Sequence, residues 1–190
     1  MEVNIPPSYI AYLYGQMFAS PSLFGHKHVV TGKRLNPIEL RKAIKKAMLV
    51  SLYNDGTIDF EIRIKKGRFR ERRELFIKAL KNVESSDFSF ENDLFTLLKQ
   101  HGETIISFLH AGFDYEKKLL DRLANVMNKE LAREGYLKEE EGRYTRARAR
   151  YTPNVEAIEP LRNIALEIKL KTAEFEAKRK DLTKILDANL

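Results

Sequence analysis

The chain has 190 residues, 34 Lys plus Arg against 27 Asp plus Glu (formal charge +7), 43% hydrophobic residues and no cysteine. That length holds one large domain or two small ones, with enough apolar content for a core. The absence of cysteine excludes disulfides, thiolate zinc sites and cysteine nucleophiles, and apolar runs of only a few residues exclude a membrane-spanning helix.

The opening MEVNIPPSYIAYLYGQMF begins acidic and lacks both a basic segment and a small-residue cleavage site, so a cytoplasmic chain is expected. A pI of about 9.5 favours anionic partners, either nucleic acid or acidic lipid headgroups. The same mixture of Lys, Arg and Glu is common in heat-adapted proteins.

Residues 6–19 are dense in aromatic and aliphatic side chains and read as a buried helix opened by its prolines. Residues 20–36, with Pro21, Gly25 and Gly32 and no clear period, read as a loop. A well-marked helix follows. Asn36 suits its N-cap, Pro37 its first position, and Glu39 its third, where it can complete a capping box. Leu40, Ile44, Ala47, Met48 and Leu52 share one face, while Arg41, Lys42, Lys45 and Lys46 crowd the expected solvent side. Asp55-Gly56 stops it.

Beyond Gly56 the period changes from 3.6 to 2. Ile58, Phe60, Ile62 and Ile64 alternate with Asp59, Glu61, Arg63 and Lys65, the mark of a half-buried strand. Lys66-Gly67 supplies a turn, and RFRERRELFIKALKN then reads as a short return strand followed by a helix. The polar stretch Asn82 to Asp87 separates two modules. Residues 91–101 and 104–111 read as short helices parted at Gly102 and ended by Gly112. Asp114 suits the cap of a long helix over 115–134, which Gly135 ends. A basic hairpin follows.

The two halves close alike: NDG-TIDFEIRIKK-GRFRERR in one, REG-YLKEE-EGRYTRAR in the other. Both place Gly-Arg-aromatic at the hairpin's return, which suggests an internal repeat of helix plus wing. Residues 159–187 read as a last helix. Its a/d-like seam of Leu161, Ala165, Ile168, Thr172, Phe175, Arg179, Leu182 and Leu186 suits either a homodimer or a helix laid on its own domain.

The helix 115–134 carries the strongest candidate surface. Leu119, Leu120, Leu123, Val126, Met127 and Leu131 make its core face. Lys118, Arg122, Asn125, Lys129 and Arg133 form one stripe opposite, with Asp121 and Glu130 at its flank. Cations neutralise phosphates, and Asn or Arg can form bidentate bonds to purine edges. In the hairpin, Arg143 sits at the return, and Arg146, Arg148 and Arg150 share one strand face. Alternate residues on a strand lie about 6.5–7 Å apart, close to the phosphate spacing of a duplex strand. Glu139-Glu140-Glu141, expected at the hairpin turn, would repel a DNA backbone or pair with the arginines.

Other chemistry finds little support. His26 and His28 resemble a metal pair, but no third ligand is positioned, and His101 and His110 read as surface or capping residues. There is no phosphate-cradling glycine loop and no nucleophile elbow. No catalytic residue, metal or cofactor is expected.

The run LLDRLANVMNKELAREGYL…GRYTRARARYTPN resembles the end of a winged-helix transcriptional regulator: recognition helix, glycine, hairpin, and an exit at Arg150-Tyr151-Thr152-Pro153 before a C-terminal helix. The resemblance spans residues 91 to about 187 and implies contacts to double-stranded DNA from Arg122, Asn125, Lys129 and the wing arginines. A second likeness is carried by LAREGYLKEEEGRY, RYTPNVEAIEPLRNIALEI and AIKKAMLVSLYNDGTIDFEI. These are similar to the Golgi phosphoprotein 3 family, which implies a peripheral membrane adaptor with an anionic membrane surface as partner; a third reading is a winged-helix protein-interaction scaffold whose basic surfaces are incidental. The expectation is an α+β, mostly α chain: a winged-helix-like module over 1–82, a second over 88–153, and a C-terminal helical segment over 154–190.

Overall fold

The computed structural model describes residues 5–66, 71–82, 86–106, 119–140 and 149–190. Of these, 56% are helical and 24% lie in strands, which is the mainly helical α+β class expected from the sequence. Among the described residues, no helix is long and apolar enough to cross a membrane.

The innermost element is α1 (Pro7–Leu13), whose side chains from Ser8 to Leu13 are all buried. A helix apolar on every side must be covered on every side. Helix α2 (Pro37–Asn54) and the C-terminal helices pack against it. It is shorter than expected because Tyr14 leaves helical geometry, and Gly15–Met17 form a 3₁₀ turn instead. That turn sits so close to α2 that a Cβ on Gly15 would meet Leu40 Cδ1 at 2.8 Å.

The segment read as a loop is a hairpin of β1 (Pro21–Lys27) and β2 (Arg34–Leu35). The turn is held by His28, which is fully buried. Its Nε2 donates to the Tyr12 carbonyl at 2.8 Å, while Nδ1 faces the Thr31 hydroxyl at 3.0 Å. Both ring nitrogens are thus engaged in joining the hairpin to α1. Burial lowers the His28 pKa, which keeps the ring neutral.

Helix α2 starts as its residues dictate. The Asn36 side chain accepts from the Ile38 and Glu39 amides at 3.0 and 3.3 Å. The capping box, however, is only half made. The Glu39 carboxylate accepts from the Ser20 amide and hydroxyl at 2.7 and 2.8 Å, pinning α2 to the residue just before β1. The expected solvent side is also covered. Lys45 is 1% exposed, and Lys46 reaches Glu176 at 2.5 Å and Asp187 at 2.6 Å. Lys42 donates to the Asp187 carbonyl at 2.8 Å. The sequence pattern showed one apolar stripe, but α1 and the C-terminal helices bury a wider arc.

Strands β3 (Ile58–Lys66) and β4 (Glu71–Ala79) pair antiparallel from Ile58↔Ala79 to Lys66↔Glu71. Residues 71–79 therefore stay extended where a short strand and then a helix were expected. The alternation Leu75, Ile77 inward against Glu74, Lys78 outward fits this period of two. The inward row fails at the far end of β3, where Ile64 is 58% exposed. The turn after Lys66 begins outside the described residues.

Helix α3 (Ser89–His101) ends at Gly102 with φ 71°. The chain then enters β5 (Glu103–Ile105), which pairs with β4, so residues 104–105 are strand rather than the start of a helix. The Arg63 guanidinium grips Glu103 with two bonds of 2.8 and 2.7 Å while lying 4.1 Å from the Phe76 ring centre. These cross-strand bonds draw the segment after residue 88 into the first sheet, and the buried apolar residues form one cluster. The proposed cap at Asp114, the stop at Gly112 and His110 lie outside the described residues.

Helix α4 (Leu119–Arg133) leads through Gly135 to β6 (Leu137–Glu140), which pairs with β7 (Arg150–Pro153). Its exit from the helix duplicates that of α2 almost bond for bond. Thr57 N donates to Leu52 O at 2.9 Å and Gly56 N to Tyr53 O at 3.1 Å. At the second site Tyr136 N donates to Leu131 O at 2.8 Å and Gly135 N to Ala132 O at 3.1 Å. Both glycines take positive φ, 70° and 80°, completing a Schellman motif at each helix end. The hairpins close alike too, through Leu80 N to Thr57 O and Asn154 N to Tyr136 O. With a shift of 79 residues Ile44, Met48, Leu52 and Gly56 fall on Leu123, Met127, Leu131 and Gly135.

The C-terminal segment is not one helix. A short α5 (Val155–Ile158) and a 3₁₀ turn precede α6 (Arg162–Lys178), and α7 (Lys180–Asn189) follows a break at Arg179, φ −122° and ψ 54°. The Arg179 guanidinium donates to the Tyr53 hydroxyl at 2.7 Å, while Lys46 bridges α6 and α7 from α2. Leu161, Ala165, Ile168, Phe175, Leu182 and Leu186, the apolar a/d positions, are buried within the chain.

Candidate nucleic-acid interface

Helix α4 has one buried and one open face. Ala124, Met127 and Leu131 are buried and Leu123 is half-buried, while Arg122, Asn125, Lys129 and Arg133 are exposed. The spacing of these four is the helical repeat, so they form one stripe. Val126, expected in the core, is 41% exposed and joins the open side. It lies beside Asn125 and Lys129, which are exposed as well.

The flanking acid Glu130 turns the other way. It is 9% exposed and accepts from the Tyr9 hydroxyl and from the Ser89 hydroxyl and amide, the last at 3.1 Å. It is the one carboxylate between residues 122 and 133, so its burial removes an opposing charge from beside Lys129. Asn128, one turn towards α1, accepts from the Tyr12 hydroxyl at 2.9 Å. Two tyrosines of α1 therefore fix which way α4 faces.

Behind this joint lies a second buried acid. Glu91 of α3 is 4% exposed, with Oε1 accepting from the Ser8 hydroxyl and Oε2 unpaired. Burial, reinforced by Glu130, pushes its pKa up to about 8, so the side chain is mostly protonated at neutral pH. Burial and the nearby Glu130 also raise Asp93, and burial raises Tyr9.

The arginines of the predicted site are not equivalent. No described residue is hydrogen-bonded or ion-paired to Arg122, Asn125 or Lys129. Arg133 is drawn back to Glu134 at 2.9 Å and to the Asp87 carbonyl at 3.1 Å. Arg150 is exposed on β7, directly opposite Glu140. Lys118, Arg143, Arg146 and Arg148 lie outside the described residues.

The acids expected at the hairpin turn belong in part to the strand. Glu139 and Glu140 are in β6, where Glu139 accepts from the Tyr151 hydroxyl at 3.3 Å. Their side chains are exposed and lie across from β7. Among the described residues, no group of three His, Asp or Glu side chains could hold a metal ion.

Sequence reasoning missed the joint that orients α4. Glu91 and Glu130 look like ordinary solvated helix acids, since nothing local marks a partner 83 or 121 residues away. The dense tyrosines of α1 were the available signal, because a buried phenol needs a hydrogen-bond partner. No family model, curated protein or solved structure matches this chain.

Proposed function

We propose that the chain is a non-enzymatic nucleic-acid-binding protein, a winged-helix-like regulator that sets the open face of α4 in the major groove of duplex DNA. The observation that carries this reading is the exposed Arg122–Asn125–Lys129 stripe, from which Glu130 has been removed into the interior. Arg122 and Lys129 neutralise phosphates and Asn125 reads a purine edge. The β6–β7 hairpin, with Arg150 exposed, lies against the backbone beside it.

The division of labour predicts two kinds of variant. Arg122→Ala with Lys129→Ala weakens binding to every duplex alike, whereas Asn125→Ala relaxes discrimination by about 1–3 kcal/mol at one base pair. Electrophoretic shifts with random and selected duplexes separate the two. A wild-type protein that shifts no duplex at low salt ends this reading.

A further inference from the structure

The least expected surface in the molecule is on β1. Pro21 and His26 both pair with Leu35, so the four residues between them loop out of the ladder. At the apex, Leu23 is 87% and Phe24 95% exposed. Two adjacent large apolar side chains held this far into water need a reason, since burying either would be favourable by about 1.5–3 kcal/mol.

The excursion is built rather than slack. Gly25 lies so close to β2 that a Cβ there would stand 2.0 Å from the Leu35 carbonyl oxygen. Arg34 Nη1 donates to the Gly25 carbonyl at 3.1 Å, and the buried His28 ring anchors the strand below. Lys27, Lys33 and Arg34 are exposed around it. No carboxylate occurs between Glu2 and Glu39, and Glu39 itself is engaged by Ser20 at the hairpin base. Ile38, 57% exposed, adds a third apolar side chain near that base.

From this geometry we infer that the β1 bulge is a membrane wedge: Leu23 and Phe24 enter the interfacial zone of an anionic bilayer while Lys27, Lys33 and Arg34 rest on its headgroups. Charge complementarity favours an acidic lipid surface. Size argues against a protein partner. Two side chains contribute at most about 250 Å² each, short of the roughly 800 Å² that each partner buries in a standard protein interface. Shallow insertion of a few apolar groups plus basic residues is sufficient for reversible membrane attachment. This surface is separate in sequence from the α4 stripe, so it adds a second attachment rather than a variant of the first.

The chain contains no tryptophan, so Phe24→Trp places a single reporter at the apex. With phosphatidylcholine–phosphatidylserine vesicles its emission should shift to the blue and be quenched by brominated lipid, with a much smaller response to phosphatidylcholine alone. Leu23→Ser with Phe24→Ser should lower vesicle binding on the order of a hundredfold, and each of Lys27→Ala and Lys33→Ala about fivefold. Because these side chains stand in water, the variants should melt with the wild type, and the tryptophan reporter gives a readout that does not depend on them. The inference is overturned if the protein ignores acidic vesicles, if it sediments with them without a blue shift, or if the serine variant binds them like wild type. Loss of duplex binding alone in the serine variant would assign the wedge to nucleic acid and equally overturn it.

Discussion

Glu91 gives the sharpest test of the buried joint between α1 and α3, behind α4. Its carboxyl has a pKa of about 8 in the folded chain against an ordinary value of 4.5. A folded pKa above the unfolded one means that the native state binds the proton more tightly. The stabilisation from this group is therefore fully present below about pH 4.5 and is lost as pH rises towards 8. The difference of 3.5 units corresponds to roughly 5 kcal/mol across the whole window, and about 1.4 kcal/mol per pH unit in its middle. Glu91→Gln keeps an oxygen to accept from Ser8 but cannot ionise. Urea unfolding of both proteins from pH 5 to 9 should give curves that diverge, with the variant more stable by on the order of 3 kcal/mol at pH 7. Asp93, also raised, contributes the same sign to both proteins and cancels in the comparison. Parallel curves would refute the claim that Glu91 is a buried acid under Ser8.

Other substitutions probe separate joints. Gly25→Ala forces a Cβ against the Leu35 carbonyl and should cost about 2–3 kcal/mol, read by thermal melting, while disordering the β1 bulge. Phe175→Ala removes a ring 5.4 Å from Tyr53 and 5.9 Å from Phe60, so about 3–5 kcal/mol should be lost at any protein concentration. A loss that vanishes at high concentration would instead place that ring in a dimer seam. Gly135 is open and a Cβ on Gly56 would meet only the end of Lys81 at 3.6 Å; with φ 80° and 70°, Gly135→Ala and Gly56→Ala should each cost about 1–2 kcal/mol, mostly from backbone strain. Markedly unequal costs would count against the equivalence of the two helix ends.

Local signals were read well where the chain carries its own punctuation. Asn36-Pro37 starts α2, and Asp55-Gly56 and Glu134-Gly135 end α2 and α4, because caps and left-handed glycines act within a few residues. The helix-plus-hairpin repeat was visible for the same reason. What failed depended on distant partners. Residues 71–79 became strand because β3 and then β5 pair with them, although LFIKAL also suits a helix. Lys45 and Lys46 were expected in solvent, but Lys45 is buried and the chain's last helices pair with Lys46 through Glu176 and Asp187. The single C-terminal helix broke where Arg179 reaches Tyr53, and its apolar seam went to the chain's own core. In the candidate site the Arg122–Arg133 stripe was legible from period alone. The burial of Glu130, the exposure of Val126 and the retreat of Arg133 to Asp87 were not: Glu130 is taken by Tyr9 of α1 and Ser89 of α3, and Arg133 by the segment just before α3.

The measurement closest to the central claim is the salt dependence of duplex binding, followed by fluorescence anisotropy on a random duplex. If about five cations contact phosphate, log K should fall against log salt with a slope near −4.5, and fourfold more salt should weaken binding on the order of 500-fold. Replacing Arg122 and Lys129 together with alanine should make that slope shallower by about 1.8. A duplex that binds with the same slope to both proteins, or does not bind at all, would contradict the assignment of α4 as the nucleic-acid-binding face.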